Sequence, residues 1–146
     1  MADNYDTLKL ENQICFPLYA CSKEIVRRYK PFLDELDLTY TQYIAMLVMW
    51  EHKQINVKNM GRLLFLDSGT LTPVLKKLEQ KGYILRTRSS KDERMVIANI
   101  TEKGEQLKGS AALVPQKVTQ CVNLTKEEAE LLYALLYKAL DKGEDE

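Results

Sequence analysis

The apolar residues of this chain change their spacing twice, and that alternation limits the fold more than any other feature. From Leu10 they recur at Ile14, Leu18, Cys21, Ile25, Tyr29, Phe32 and Leu36, in steps of three and four that put them on one face of a helix. Between Tyr83 and Ile100 the spacing switches to two strand-like runs, Tyr83–Arg88 and Met95–Ile100, separated by the polar stretch Ser89–Arg94. These runs predict a hairpin with a charged tip. Helical spacing then returns at Leu107, Ala111, Val114, Val118 and Cys121, and again from Leu131 to Leu140. With only 6 Gly and 4 Pro in 146 residues, an all-β fold rich in turns is excluded. The fold class that follows is mainly α with a small β-wing.

Local signals divide the helical parts. The first helix is expected from about Glu11 to Leu36, with Pro17 either kinking it or sitting in the first turn of a helix that starts late. Thr39 and Gln42 form a capping box that opens a second helix through about Glu51. Asn56 caps a short helix over Val57 to Phe65. The tight connection Leu66-Asp67-Ser68 leads to a fourth helix ending at Lys81, with Gly82 just past its end. Thr101 caps a fifth helix, bent at Pro115. Thr125 and Glu128 form a second capping box for the last helix, and the tail after Lys142 is expected to fray.

Charge is uneven. The whole chain has 21 basic and 21 acidic residues. Residues 58–94 nevertheless carry nine basic and four acidic groups, between two flanks of net negative charge. A basic centre between acidic flanks fits a polyanion partner. No stretch is long and apolar enough to span a bilayer, and the N-terminus lacks the blocks of a signal peptide, so a cytoplasmic location without membrane contact is expected. Three cysteines, Cys15, Cys21 and Cys121, cannot close a disulfide framework within one chain. With no CxxC pair and one histidine, no metal site, cofactor or catalytic residue is expected, and the chain is not expected to be an enzyme. His52 and Trp50 read as packing residues, and Met46, Met49 and Met60 as core.

Two short helices joined by a tight turn and followed by a basic hairpin make a winged helix-turn-helix, whose second helix enters the major groove of double-stranded DNA. That helix begins with small polar residues. Ser68, Thr70 and Thr72 can approach phosphates and base edges, and Lys76 and Lys77 extend the positive surface. Leu71, Val74, Leu75 and Leu78 form its buried face. The wing contributes Arg86, Arg88, Lys91 and Arg94, suited to the backbone or the minor groove.

The segment Leu66-Asp67-Ser68-Gly69-Thr70-Leu71-Thr72-Pro73, then Leu75-Lys76-Lys77-Leu78-Glu79, then Lys91-Asp92-Glu93-Arg94, resembles the MarR family of regulators. The stretch Leu10 to Phe16, with Leu18-Tyr19, resembles its organic-hydroperoxide repressor (OhrR/SarZ/MgrA-like) branch, of the two-cysteine type. The resemblance implies a homodimer in which the N-terminal and C-terminal helices of two subunits intertwine, binding a pseudo-palindromic operator. It implies that Arg94 reaches the minor groove and that Asp92 orients it. The domains would be residues 1–40 for dimerisation and sensing, 41–101 for the winged helix-turn-helix, and 102–146 for the C-terminal dimerisation helices.

Cys15 falls early in the first helix, where the helix N-terminus favours a reactive thiolate, and Tyr19 lies one turn away on the same face. The resemblance adds Tyr29 and Tyr40 at positions whose hydroxyls hold the matching cysteine, some of them from the partner subunit. Cys21 is six residues from Cys15, about 9 Å along a helix and about 120° around it, beyond the roughly 7 Å Cα limit of a disulfide. It is expected to remain a packing residue. The two-cysteine relatives bridge the sensor cysteine to a second cysteine of the other subunit, which implies Cys121 here; a small thiol capping oxidised Cys15 is the alternative. An organic hydroperoxide or another oxidant would be the signal, and the regulator would be a repressor. Three other readings stay open: release from DNA by a small phenolic ligand, a thiol peroxidase, and a winged-helix interaction protein that does not bind DNA.

Overall fold

A computed structural model describes residues 4–141; the fraying expected after Lys142 lies outside them. After two short 3-10 turns at Asp6–Leu8 and Leu10–Asn12 come α1 (Cys15–Asp34), α2 (Tyr40–His52), β1 (Gln54–Asn56), α3 (Val57–Leu64), α4 (Ser68–Gln80), β2 (Ile84–Arg88), β3 (Val96–Ile100), α5 (Glu102–Ala111), α6 (Val114–Thr119) and α7 (Lys126–Leu140). The strands form one antiparallel sheet in the order β1-β3-β2.

Helix α2 is the centre of the core. Its N-terminus is closed by the expected reciprocal pair, with Gln42 N–H donating to Thr39 Oγ1 at 3.2 Å and Thr39 N–H to Gln42 Oε1 at 3.1 Å. Tyr43, Ala45, Met46, Val48, Met49 and Trp50 are buried along it. Met60 of α3, Leu71, Leu75 and Leu78 of α4, Ile84 of β2 and Ala98 of β3 pack into the same apolar cluster, as do Leu33 of α1 and Val114 and Val118 of α6. One chain of hydrogen bonds ties three elements together. The Trp50 indole N–H donates to the Gly104 carbonyl (2.9 Å), Gly104 N–H to Thr101 Oγ1 (3.1 Å), and the Thr101 hydroxyl to the Gly82 carbonyl (2.6 Å). Gly82 has φ +83°, the left-handed conformation of a residue just past a helix end. The base of the hairpin is thereby fixed to α2 and α5.

Four expectations are corrected. The first helix starts at Cys15 rather than near Glu11, so Pro17 lies in its first turn, where its missing N–H leaves no helical bond unmade. Pro115 divides the fifth helix instead of bending it: α5 ends at Ala111 and α6 begins at Val114, with the proline in its first turn. Strand β1 was not visible in the pattern, because three residues are too few to show a period; it pairs Ile55 with Ala98 on β3. His52 is exposed and is not a packing residue.

Among the described residues, two apolar faces are left largely uncovered, α7 meeting the rest of the chain through Tyr137 beside Phe65. None of the α7 residues is buried; Leu131 and Leu135 are 61% and 53% exposed. The front of the α1 stripe, Ile14, Leu18 and Cys21, is exposed too, while Tyr29, Phe32 and Leu36 further along it pack on the core.

The close approach at Gly104 gives a paired prediction. A Cβ there would stand 2.3 Å from the Tyr83 carbonyl oxygen, whereas one at Gly109 meets nothing within 4 Å. Thermal denaturation should show Gly104→Ala destabilised by about 1–3 kcal/mol through overpacking. Gly109→Ala should be neutral or stabilised by up to about 1 kcal/mol, because a helical glycine loses more backbone entropy than alanine.

Candidate nucleic-acid interface and thiol site

Helix α4 is oriented from inside. Leu71, Leu75 and Leu78 are buried against α2 and the sheet, which turns the opposite face to solvent. Asp67 caps its start, with Oδ1 accepting the Thr70 N–H at 2.7 Å. That hydrogen bond holds the Asp67 carboxyl below its ordinary range. Ser68, Thr70, Lys76 and Lys77 are exposed and Thr72 is half-buried. Gly69 and Pro73 are also exposed, on the stripe that runs to Lys76. They were not singled out from the sequence, although a helical wheel centred on the three leucines places them opposite the core.

The wing is built by its own polar groups. Asp92 Oδ1 accepts the Arg94 N–H (3.0 Å), and the Asp92 carbonyl accepts the Met95 N–H (3.0 Å), which closes the turn. Arg88 Nη1 donates to the Glu93 carbonyl at 2.8 Å, within the wing. Arg86 differs from the expected role: its Nε and its backbone N–H both donate to Glu79 Oε2, at 3.1 and 3.0 Å. This ties the wing's first strand to the end of α4 and lowers the Glu79 carboxyl from its usual range. Among the described residues, the side-chain nitrogens of Lys76, Lys77, Lys91 and Arg94 have no hydrogen bond or ion pair with the chain. A cleft of about 1160 Å³ lies between α3, the start of α4 and the wing, lined by Arg62, Asp67, Thr72 and Arg94 and edged by Leu140 of α7.

The thiol residues fall into two groups. Cys15 is the first residue of α1 and is exposed. Tyr19, one turn on, is 61% exposed, with Lys23 Nζ 5.1 Å from its ring centre. The second group lies near the other end of α1. Tyr29 and Tyr40 meet edge to face at 5.0 Å, and Tyr43 joins them at 5.7 Å from Tyr29. Burial, then the neighbouring Tyr40 and Tyr43, pushes the Tyr29 hydroxyl up to about 12, and burial raises Tyr40 as well. Both therefore remain hydrogen-bond donors at neutral pH. Among the described residues neither hydroxyl has a hydrogen-bond partner in its own chain.

Cys121 belongs to this second group. It lies past the end of α6 and is exposed, not on the apolar face of a helix as the spacing predicted. Its thiol donates to the Lys117 carbonyl at 3.5 Å, and its own carbonyl accepts from Arg28 Nη1 at 2.5 Å. Arg28 is 13 residues after Cys15 on one continuous helix, about 20 Å along the axis. The turn that Arg28 holds, and Tyr29 beside it, are therefore anchored toward the far end of α1 from Cys15. Cys21 is exposed, so the packing role expected for it is not met within the chain. Among the described residues no cluster of His, Cys, Asp or Glu could hold a metal ion, and no helix is long and apolar enough to cross a membrane.

Residues 27–110 match the family model described as transcriptional regulator SarA/Rot. The organic hydroperoxide resistance transcriptional regulator of Bacillus subtilis (strain 168) is 48% identical, with 97% of this chain and 96% of the relative covered. The HTH-type transcriptional regulator SarZ of Staphylococcus aureus (strain USA300) is 43% identical over 93% of this chain and 92% of its own length. Reduced AbfR bound to DNA superposes with a TM-score of 0.76 at 34% identity, covering 92% of this chain and 94% of that one. Disulfide-formed AbfR superposes at 0.65, with 32% identity and coverage of 92% and 95%.

The Asp67 cap predicts a pH signature. Because the folded carboxyl is depressed, its contribution to stability is present above the ordinary aspartate range and is lost as pH falls through the lowered value. Asp67→Ala should lower the melting temperature at neutral pH, and the gap from wild type should narrow in strong acid. A gap of unchanged size at all pH values would contradict the assignment.

Proposed function

Because this chain belongs to the MarR family of transcriptional regulators, in the group of the organic hydroperoxide resistance regulator and SarZ, we propose that it is a homodimeric DNA-binding repressor switched by oxidation of Cys15. The observation that carries this reading is the separation along α1. Tyr29, and Arg28 whose guanidinium holds the Cys121 carbonyl, lie about four turns from Cys15 along one helix, which favours their use by Cys15 of a second copy. The uncovered faces of α1 and α7 supply the apolar surface for that second copy. Residues 1–40 and 102–146 then serve dimerisation and sensing, and residues 41–101 bind DNA. A cytoplasmic location fits a protein whose partner is an operator.

In the reduced dimer, Ser68, Thr70, Thr72 and Lys76 face base edges and phosphates in the major groove, and Lys77 contacts the backbone. Arg94, held by the Asp92 turn, enters the minor groove, and Arg88 and Lys91 flank it. Arg86 supports the wing through Glu79 and contacts phosphate at most at its edge. Two such units related by a two-fold axis read a pseudo-palindromic operator.

A thiolate at Cys15 attacks the distal oxygen of an organic hydroperoxide. The S–O bond forms, the O–O bond breaks, and the alcohol leaves after taking a proton. The protonated Tyr29 and Tyr40 hydroxyls of the partner donate hydrogen bonds to that thiolate, and Tyr19 lies beside it in its own chain. The Cys121 thiol of the partner then attacks the sulfenic sulfur: the S–S bond forms, the S–O bond breaks, and water leaves. The bridge changes the spacing of the two α4 helices, and each half-site is then met out of register. The higher superposition on reduced, DNA-bound AbfR than on its disulfide form supports reading the present conformation as the binding one. The cleft beside Arg62 and Arg94 favours one second reading, in which a small phenolic ligand releases the operator.

Non-reducing electrophoresis and operator binding after hydroperoxide treatment test the switch. Wild type should form a covalent dimer and lose DNA; Cys15→Ser and Cys121→Ser should form none, and Cys21→Ser should behave as wild type. Oxidant-insensitive DNA binding would favour the ligand reading. Separately, Lys77→Ala should reduce the slope of log affinity against log salt by about 2, one phosphate contact being lost from each subunit. Tyr29→Phe should slow Cys15 oxidation while leaving reduced DNA affinity unchanged.

A further inference from the structure

We infer that Arg28 is a positioning residue for the thiol switch, holding Cys121 where it can resolve the partner's oxidised Cys15. This rests on the two-cysteine reading proposed above. Arg28 bridges two elements. Its Nε donates to Glu24 Oε1 at 3.2 Å, one turn back on α1, and its Nη1 donates to the Cys121 carbonyl at 2.5 Å, 93 residues away in sequence. Glu24 also accepts from Arg27 at 2.8 and 2.6 Å. Arg27 first, then Arg28, pulls its carboxyl down to about 2, so the anchor stays charged at any working pH.

Apart from the Arg28 bond, the hydrogen bonds that hold this segment are local to it. Past Thr119 the chain leaves α6, and Cys121 sits in a turn held by its N–H to the Val118 carbonyl and its thiol to the Lys117 carbonyl. Lys117 in turn reaches Glu35 at 3.9 Å and lies over the Phe32 ring at 5.5 Å. These contacts secure α6 on α1, but among the described residues only the Arg28 bond reaches the cysteine's own backbone from α1. Arg28 also directly precedes Tyr29. A single stretch of α1 therefore carries both the hydroxyl that receives the partner's Cys15 and the clamp on the thiol that resolves it.

This placement sets a competition. A sulfenic acid at Cys15 is consumed by Cys121 of the partner, by an added small thiol, or by more hydroperoxide to give the sulfinic acid. The first is an intramolecular reaction within the dimer, and its advantage depends on geometry. Freeing the Cys121 turn lowers that advantage while leaving in place the Tyr29 and Tyr40 hydroxyls that receive the partner's Cys15, to which Arg28 makes no hydrogen bond among the described residues.

Stopped-flow and mass-spectrometric kinetics with cumene hydroperoxide test this on full-length dimers of wild type, Arg28→Ala and Arg28→Lys. Sulfenic acid formation is read in a Cys121→Ser background, and disulfide formation with Cys121 present. Arg28→Ala should oxidise Cys15 at the wild-type rate, bind DNA normally when reduced, and form the disulfide at least roughly tenfold more slowly. Sulfinic acid and added-thiol adducts should rise in proportion, and Arg28→Lys should recover part of the rate. An unchanged disulfide rate in Arg28→Ala, or an equal loss in both steps, would overturn the inference while leaving the two-cysteine switch intact. Failure of wild type to form the Cys15–Cys121 bond would overturn both.

Discussion

Helix α1 carries Cys15 as its first residue and Arg28 and Tyr29 four turns later, and an α-helix holds that separation at about 1.5 Å per residue. The two ends are thus chemically different stations that cannot meet within one chain. One end offers an exposed thiol. The other offers protonated hydroxyls that make no hydrogen bond among the described residues, and a second cysteine whose carbonyl is held from the same helix. Everything proposed about sensing follows from that rigidity. In the proposed switch it makes the second copy a chemical requirement as well as a means of covering apolar surface.

The DNA-facing half depends on the opposite kind of constraint, local and packed. Three buried leucines orient α4, Asp67 closes its first turn, and the Glu79–Arg86 pair fixes the wing to its far end. The Trp50–Gly104–Thr101–Gly82 chain of hydrogen bonds then joins α2, α5 and the base of the hairpin. In the proposed switch, a displacement of the dimer helices would be carried to α4 and the wing as a rigid body, so that a bond at Cys15 would act on a helix it does not touch.

Much of this was legible in the sequence. Thr39, Asn56, Thr101 and Thr125 cap the helices they were expected to cap, and Gly82 stands where the left-handed residue was expected. These signals act over three or four residues and need no tertiary context. What was missed needs such context. Strand β1 exists because β3 offers it an edge. Arg86 looked like a free cation until the fold brought Glu79 beside it. The environment of Cys121 depends on where Pro115 ends one helix and starts the next, and on an arginine 93 residues away. The exposure of Cys21 shows the limit of periodicity: the stripe marks an apolar face but not whether its cover lies in the same chain.

The most direct test of the central claim uses mixed dimers. Cys15→Ser and Cys121→Ser chains, each unable to bridge with its own kind, are exchanged into heterodimers and treated with organic hydroperoxide. The account predicts one covalent band at dimer size, with Cys15 of one chain joined to Cys121 of the other. A heterodimer that remains separable under these conditions, while wild type yields a Cys15–Cys121 bond within single chains, would contradict it.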